Sequence, residues 1–511
     1  MQRVMLPILL LAAAIASFTV SDRRGEETPT AVATTDVVEV TTPMLSARRV
    51  PGYLSLPQAQ SDLDVGMRDI AARSPQLSCL IVHDTEGVEL FTSNPDVGLV
   101  PASVQKLVTA TAALEQMGPD ARYRTVLAAG AASVDGIIEG DLYLIGGGDP
   151  LLHTEAYAAS FPEDFTHTRF EQLADDLVAS GVIQITGGVI ADETRYDIER
   201  EPSAWAESEG LARDGFTGPL SALMLNDGFS SFPEIREPGV FPTPASDPAL
   251  FAAQEFDDLL EERGVVILGG SRNEPEPPPG LVELVALESA PMSEIVAEML
   301  TFSDNTTAEL LLKEIGLATS GEGSTDGGGL AALEILGNLA VDIATVRVAD
   351  GSGLSDRNRL SCDAVIDMLE IAGADSPLAN GLAIAGASGT LRERFTRFPL
   401  RNQVRAKTGT LSTATALAGF VETRFDATLV FAYLANLEPE ITEDLLALQE
   451  PMLERMADYP DGPPPEELEP LGLDEEPAAP YLAPEAPTGE APADPGPTPT
   501  PDDGSGLGPD E

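Results

Sequence analysis

A lysine stands at the head of an otherwise apolar helical run, and that placement restricts the fold more than any other feature. The segment reads Leu99-Val100-Pro101-Ala102-Ser103-Val104-Gln105-Lys106-Leu107-Val108-Thr109-Ala110-Thr111-Ala112-Ala113-Leu114. Alanine and leucine favour a helix, Pro101 suits its start, and Gly118-Pro119 ends it after about four turns. Such a run packs in an interior, so the flanking apolar residues desolvate the Lys106 amine and favour its neutral form. The chain has three lysines in 511 residues, Lys106, Lys313 and Lys407, against 26 arginines. Arginine keeps its proton in proteins, whereas a buried amine gives it up readily. Positions i and i+3 share a helix face, so Lys106 can reach the Ser103 hydroxyl. A serine is a poor nucleophile until a neighbouring base takes its proton. The helix N-terminus adds partial positive charge beside a nascent oxyanion. Alone, the pattern equally fits a capping serine followed by a surface lysine.

Two further elements narrow the reading. Ser303-Asp304-Asn305 precedes the apolar run of Leu310, Leu311, Leu312 and Ile315, where an N-cap would suffice to explain it. Lys407-Thr408-Gly409-Thr410-Leu411-Ser412 precedes two apolar runs, 416–421 and 427–434, which read as a β-hairpin of core strands. Lys407 is therefore expected near a strand end, with Gly409 letting a ligand approach the backbone.

In this order the three elements match the Ser-x-x-Lys, Ser-Asp-Asn and Lys-Thr-Gly set of penicillin-binding proteins and β-lactamases. Further stretches resemble one branch, the D-alanyl-D-alanine carboxypeptidase/endopeptidases, or class C low-molecular-mass penicillin-binding proteins. They are the first motif as Val100-Pro101-Ala102-Ser103-Val104-Gln105-Lys106-Leu107, the glycine-rich strand-turn Gly140-Asp141-Leu142-Tyr143-Leu144-Ile145-Gly146-Gly147-Gly148-Asp149-Pro150, Asp350-Gly351-Ser352-Gly353-Leu354-Ser355 and Ala385-Gly386-Ala387-Ser388-Gly389-Thr390-Leu391. The resemblance covers roughly Pro51 to Asn436. It implies an α/β (α+β) fold: an antiparallel sheet flanked by helices, with an inserted accessory domain. It implies a serine carboxypeptidase that cleaves peptidoglycan stem peptides through an acyl-serine ester and is acylated by β-lactams. Ser103, Lys106, Ser303, Asn305 and Lys407 would be catalytic, with Asn305 anchoring the substrate amide and Lys407 keeping the network charged. The backbone N–H groups of Ser103 and Thr410 would form the oxyanion hole. Thr408, Gly409, Thr410, Leu411 and Ser412 would bind substrate, and Asp149 would face a side-chain amine of the stem peptide, unless it only forms the turn before Pro150. Two departures stand out. Asp356, then Arg357, stand where the family usually places an arginine, and only 200 positions separate Ser103 from Ser303, so the insertion is expected to be trimmed.

Other readings of the same site are a β-lactamase, a secreted serine esterase, or a non-catalytic envelope-binding relic. Neither a metal nor a cofactor is called for. The histidines, His83, His153 and His167, show no ligand spacing, and His153 after the Gly-Asp-Pro turn is expected at the surface. The two cysteines, Cys79 and Cys362, are expected as buried free thiols, although export would permit a disulfide.

The apolar stretch from Val4 to Ala16 after Arg3, with Ala14-Ile15-Ala16, reads as an export signal, an uncleaved membrane anchor being the alternative. The product is then expected outside the cytoplasm. The net charge of −55 argues against nucleic acid or an anionic membrane as partner. The expected organisation is a signal at 1–16, a linker at 17–50, the catalytic domain at 51–129 and 288–455, an inserted domain at 130–287, and a tail at 456–511. That tail holds 15 prolines and 15 acids without a single basic residue, so it is expected to be disordered.

Overall fold

The computed structural model describes residues 52–161, 165–205, 215–233, 241–274 and 277–460. The expected signal, the linker and the tail from 461 onward lie outside these residues. Helix α1 (Gly52–Arg73) carries Pro57 inside it. Strands β1 (Ser78–Asp84) and β2 (Glu89–Ser93) form a hairpin. Helix α2 (Lys106–Met117) follows. Then come β3 (Arg124–Ala129), β4 (Leu142–Ile145), α3 (Glu171–Ala179), β5 (Val189–Asp192), α4 (Pro248–Glu262), β6 (Arg272–Asn273) and β7 (Val282–Glu288). The chain returns through α5 (Met292–Phe302), α6 (Asn305–Ser320), α7 (Thr325–Asn338) and α8 (Cys362–Ala372). It closes with β8 (Ala383–Ile384), β9 (Val404–Leu411), β10 (Ala414–Glu422), β11 (Thr428–Asn436) and α9 (Gln449–Ala457).

The principal sheet has the order β8-β9-β10-β11-β1-β2, and every pair is antiparallel. Both its faces are covered. Side chains alternate across a strand, so Val430, Ala432 and Leu434 join a core with α2, α5, α6, α7 and α8. Leu429, Phe431 and Tyr433 join the other core, with Met67 of α1 and Met452 of α9. Double burial explains why β10 and β11 read as continuous apolar runs.

The second sheet is mixed, in the order β6-β5-β4-β3-β7, with its own core against α3 and α4. It shares no strand with the first. It begins at Arg124 rather than the expected 130, because β3 pairs with both β4 and β7. The segment after β5 is tied to α6 by ion pairs: Arg195 grips Glu314 at 2.9 and 2.6 Å, and Lys313 meets Asp197. All three lysines are at least 99% buried. Lys313 is held by Asp197 and by the Glu199 carbonyl.

Two expectations are corrected. Cys79 in β1 and Cys362 at the start of α8 form a disulfide, joining the sheet to the helix laid over it. They lie 283 positions apart in sequence, so only the fold reveals the pairing. His153 is fully buried, with Nε2 3.3 Å from Asp227 and its ring stacked on Phe165. Among the described residues no helix is long and apolar enough to cross a membrane.

Candidate active site

Ser103 lies in a single 3-10 turn, Ala102–Gln105, and the α-helix proper starts at Lys106, later than the sequence suggests. The break comes from Ala102, whose φ of +47° is in the left-handed region that disfavours a side chain. Packing holds it there. A methyl on Gly353 would collide with the Ala102 carbonyl oxygen, and one on Gly409 would sit 2.7 Å from Pro101 O and 3.1 Å from Ser103 N. Gly409 is thus small where β9 presses on the turn that carries Ser103. Lys407 lies mid-strand in β9, away from the expected strand end.

The Lys106 amine is enclosed, with three acceptors: Ser103 Oγ at 3.2 Å, Asn305 Oδ1 at 2.7 Å and the Ser352 carbonyl at 2.7 Å. Burial draws its pKa down to about 8, while Asp304, Glu309 and Asp350 pull the other way by their charge. Across the cleft the Lys407 amine donates to Ser303 Oγ at 2.8 Å and to the Thr408 carbonyl at 2.8 Å. Burial, and then the charge of Lys106, hold Lys407 well below the usual lysine range.

The Ser303-Asp304-Asn305 triplet is both things the sequence allowed. Its middle residue is an N-cap, accepting from the N–H groups of Thr306 and Thr307. Its outer residues each accept from one of the two amines. Ser303 ends α5 with a φ of +63°, which turns its hydroxyl toward Lys407. Asn305 accepts from Lys106 and donates Nδ2 to the Phe216 carbonyl at 2.7 Å. It orients the amine first, a role the expected substrate anchoring does not include.

Strand β8 pairs with β9 only at Arg405 and Ala406. Among the described residues, positions 407–411 of β9 therefore have no strand on that edge. An extended peptide could add there. Thr408 Oγ1 lies 2.9 Å from Thr390 Oγ1, and Thr410 is exposed. Leu411 and Ser412 lead into the turn before β10, and no side-chain hydrogen bond links either to the centre; the Ser412 carbonyl is taken by the Ile441 N–H. Asp149 is 97% buried and accepts from the Leu151 N–H at 3.0 Å, the bond expected of the turn-forming alternative. Burial raises its pKa, the reverse of what an ammonium-binding carboxylate needs. Asp356 is exposed, and the Arg357 N–H donates to Ser355 Oγ.

The sequence assigns no role to three residues that build this centre. The Ser352 carbonyl receives Lys106. Glu309, fully buried, accepts from the Gly351 and Ser352 N–H groups. Trp205, the one tryptophan, donates Nε1 to Asp350 at 2.7 Å. A usable signal existed for Glu309: an acid inside the apolar run Ala308–Leu312, four positions after Asn305 and so on its face.

The sequence pattern of the D-Ala-D-Ala carboxypeptidase 3 (S13) family matches residues 59–244 and 230–458. A D-alanyl-D-alanine carboxypeptidase of Actinomadura sp. (strain R39) is 30% identical over 475 residues, covering 79% of this chain and 85% of that protein. A carboxypeptidase of Mycobacterium tuberculosis is 30% identical over 381 residues, covering 72% and 78%. Penicillin binding protein 4 of Haemophilus influenzae has the same fold, with a TM-score of 0.65 at 21% identity over 77% of this chain and 99% of that one. With two amine–hydroxyl pairs facing one cleft and the family pattern running through both halves of the principal sheet, the chain belongs to the D-Ala-D-Ala carboxypeptidase 3 (S13) family and is a serine-type hydrolase of the penicillin-binding-protein superfamily.

Proposed function

We propose that the centre cleaves the terminal D-alanyl peptide bond of peptidoglycan stem peptides, with Ser103 as nucleophile and Lys106 as its base. Lys106, neutral, takes the Ser103 proton, and Ser103 Oγ attacks the carbonyl carbon. The backbone N–H groups of Ser103 and Thr410 receive the oxyanion. Ser303, backed by Lys407, passes a proton to the departing amine as the C–N bond breaks. Water then hydrolyses the acyl-serine ester and frees Ser103. Thr408, Thr410 and Lys407 hold the substrate carboxylate. The same chemistry releases a D-alanine or opens a cross-link. β-Lactams acylate Ser103 in the place of substrate. Peptidoglycan lies outside the cytoplasmic membrane, and the Cys79–Cys362 disulfide suits such an oxidising compartment.

The observation that carries this reading is the pairing of each hydroxyl with a buried amine, Ser103 with Lys106 at 3.2 Å and Ser303 with Lys407 at 2.8 Å. Intact mass after incubation with benzylpenicillin tests it. The wild type should gain one acyl adduct and Ser103→Ala none; an adduct on the variant would assign the nucleophile elsewhere.

A further inference from the structure

A fully buried carboxyl lies behind the base and takes no part in the reaction as written above. Glu309 is on α6, four residues after Asn305, so both face the same way. It accepts from the Gly351 N–H with both oxygens, at 3.1 and 3.1 Å, and from the Ser352 N–H at 2.8 Å. The carbonyl of that same Ser352 is the one that accepts from Lys106 at 2.7 Å. Carboxyl and amine are thus joined through one residue, by the N–H and the C=O on either side of the Ser352 Cα. The opposite side of the loop is fixed separately. Asp350 accepts from the Gly353 and Ser355 N–H groups, from Asn358 Nδ2 and from Trp205 Nε1, and Thr109 Oγ1 donates to the Gly351 carbonyl. With that much support the loop has no structural need for a buried acid in particular. A neutral acceptor would satisfy the two N–H groups without the cost of burying a charge.

We propose that Glu309 is a positioning residue of the reaction: it aims the Ser352 carbonyl at Lys106 and supplies the buried acid against which the proton of that amine is balanced. The proposal rests on Lys106 being the base of Ser103. An amine alone in an apolar interior would be neutral but weakly basic, and a poor acceptor of the serine proton. A nearby carboxyl restores basicity. Burial and the charge of Asp350 push Glu309 itself well above the usual carboxylate range, with the Ser352 and Gly351 N–H groups opposing. Acid and amine are thereby brought toward one another in proton affinity, and a proton held by one is electrostatically felt by the other. The other charged groups around the amine are Asp304 and Asp350, with Lys407 across the cleft. Asp304 raises Lys106 more than Glu309 does, but it caps α6, so its removal would disturb the helix as well. Asp350 holds the loop through four donors. Glu309 is the acid whose charge can be deleted with its shape retained.

The test is Glu309→Gln in the full chain, reading the pH profile of β-lactam acylation. A lost negative charge makes the Lys106 proton easier to remove. The acid limb should therefore move to lower pH, by at least about one unit, and the plateau should fall because the base is weaker. Glu309→Asp, which keeps the acid, should return the limb toward the wild type. Trp205 emission controls for the loop, since its indole is bonded to Asp350, and it should be unchanged in Glu309→Gln. An unmoved limb would overturn the proposal, as would a shift matched by Glu309→Asp. Should the Gln variant not fold, Lys106→Arg asks the question from the other side. A guanidinium that keeps its charge should lower the pH at which Glu309 ionises, read from the protonated-carboxyl infrared band; an unmoved band would also overturn it. If instead Ser103→Ala still forms the adduct, the reading of the site fails, whatever Glu309 does.

Discussion

The two amines of the proposed centre, Lys106 and Lys407, are equally buried, yet their surroundings differ. Lys106 has three acids near it, Asp304, Glu309 and Asp350, all of which favour its charged form. Among the described residues no acid offsets burial at Lys407, and the charge of Lys106 depresses it further. Burial alone would make both amines neutral. The acids return basicity to one of them only, the one beside Ser103. The difference teaches that a shared cleft can hold a proton acceptor and a charge receiver built from the same side chain. Lys407 is left hungry for a counter-ion, and a substrate carboxylate bound at Thr408 and Thr410 would supply one.

The comparison breaks most directly at Lys106. Lys106→Arg keeps a cation but removes the amine that can accept a proton. Acylation by a fluorescent penicillin should fall by at least about 10²-fold, the scale of general-base assistance. In the wild type the acylation rate should rise with pH through a midpoint near pH 8 and level off above it, because the amine works only when neutral and burial has brought its pKa to about 8. A limb in the ordinary lysine range, near 10.5, would mean that the amine is not buried in the working enzyme.

Lys407→Arg sharpens the contrast. A guanidinium retains the charge that meets a carboxylate, so this loss should be smaller than that of Lys106→Arg, on the order of 10-fold in acylation. The penalty should also weaken for a β-lactam ester, which offers no carboxylate. Equal losses in the two variants would erase the division between acceptor and receiver.

The sequence showed the local parts of this centre and missed the parts that span the fold. Ser103 and Lys106 were legible because one helical turn joins them, and Lys407 because a run of apolar residues marks its sheet. The triplet at 303–305 was legible as a cap and, by resemblance, as chemistry. The Ser352 carbonyl was not, since it meets Lys106 across 246 positions and a backbone oxygen leaves no trace in residue type. Nor was the pairing of Cys79 with Cys362, because each sits in an apolar stretch that suits a free thiol equally well. The 3-10 turn at Ser103 escaped for a related reason. The force that breaks the helix there is the packing of Gly353 and Gly409 against Ala102 and its neighbours, which no local propensity records. The early start of the second sheet at Arg124 escaped because its partner strand β7 lies more than 150 residues downstream.

The smallest effect expected belongs to Asp149, whose bond is the one a turn-former makes. Asp149, like the two amines, is a buried titratable group in a stretch that resembles the family. Its partner, however, is the backbone of its own turn, the Leu151 N–H, and neither catalytic lysine is bonded to it. Asp149→Asn keeps the acceptor oxygen and removes only a charge that burial already disfavours. Stability should therefore change by no more than about 1 kcal/mol, the worth of a single hydrogen bond. Cleavage of an amine-bearing stem peptide and of its acetylated counterpart should keep the same ratio in wild type and variant. That ratio is the informative readout, because a damaged turn would slow both peptides together and leave it untouched. A fall confined to the free-amine peptide would bring Asp149 back to the substrate and would mean that the turn opens when the peptide binds.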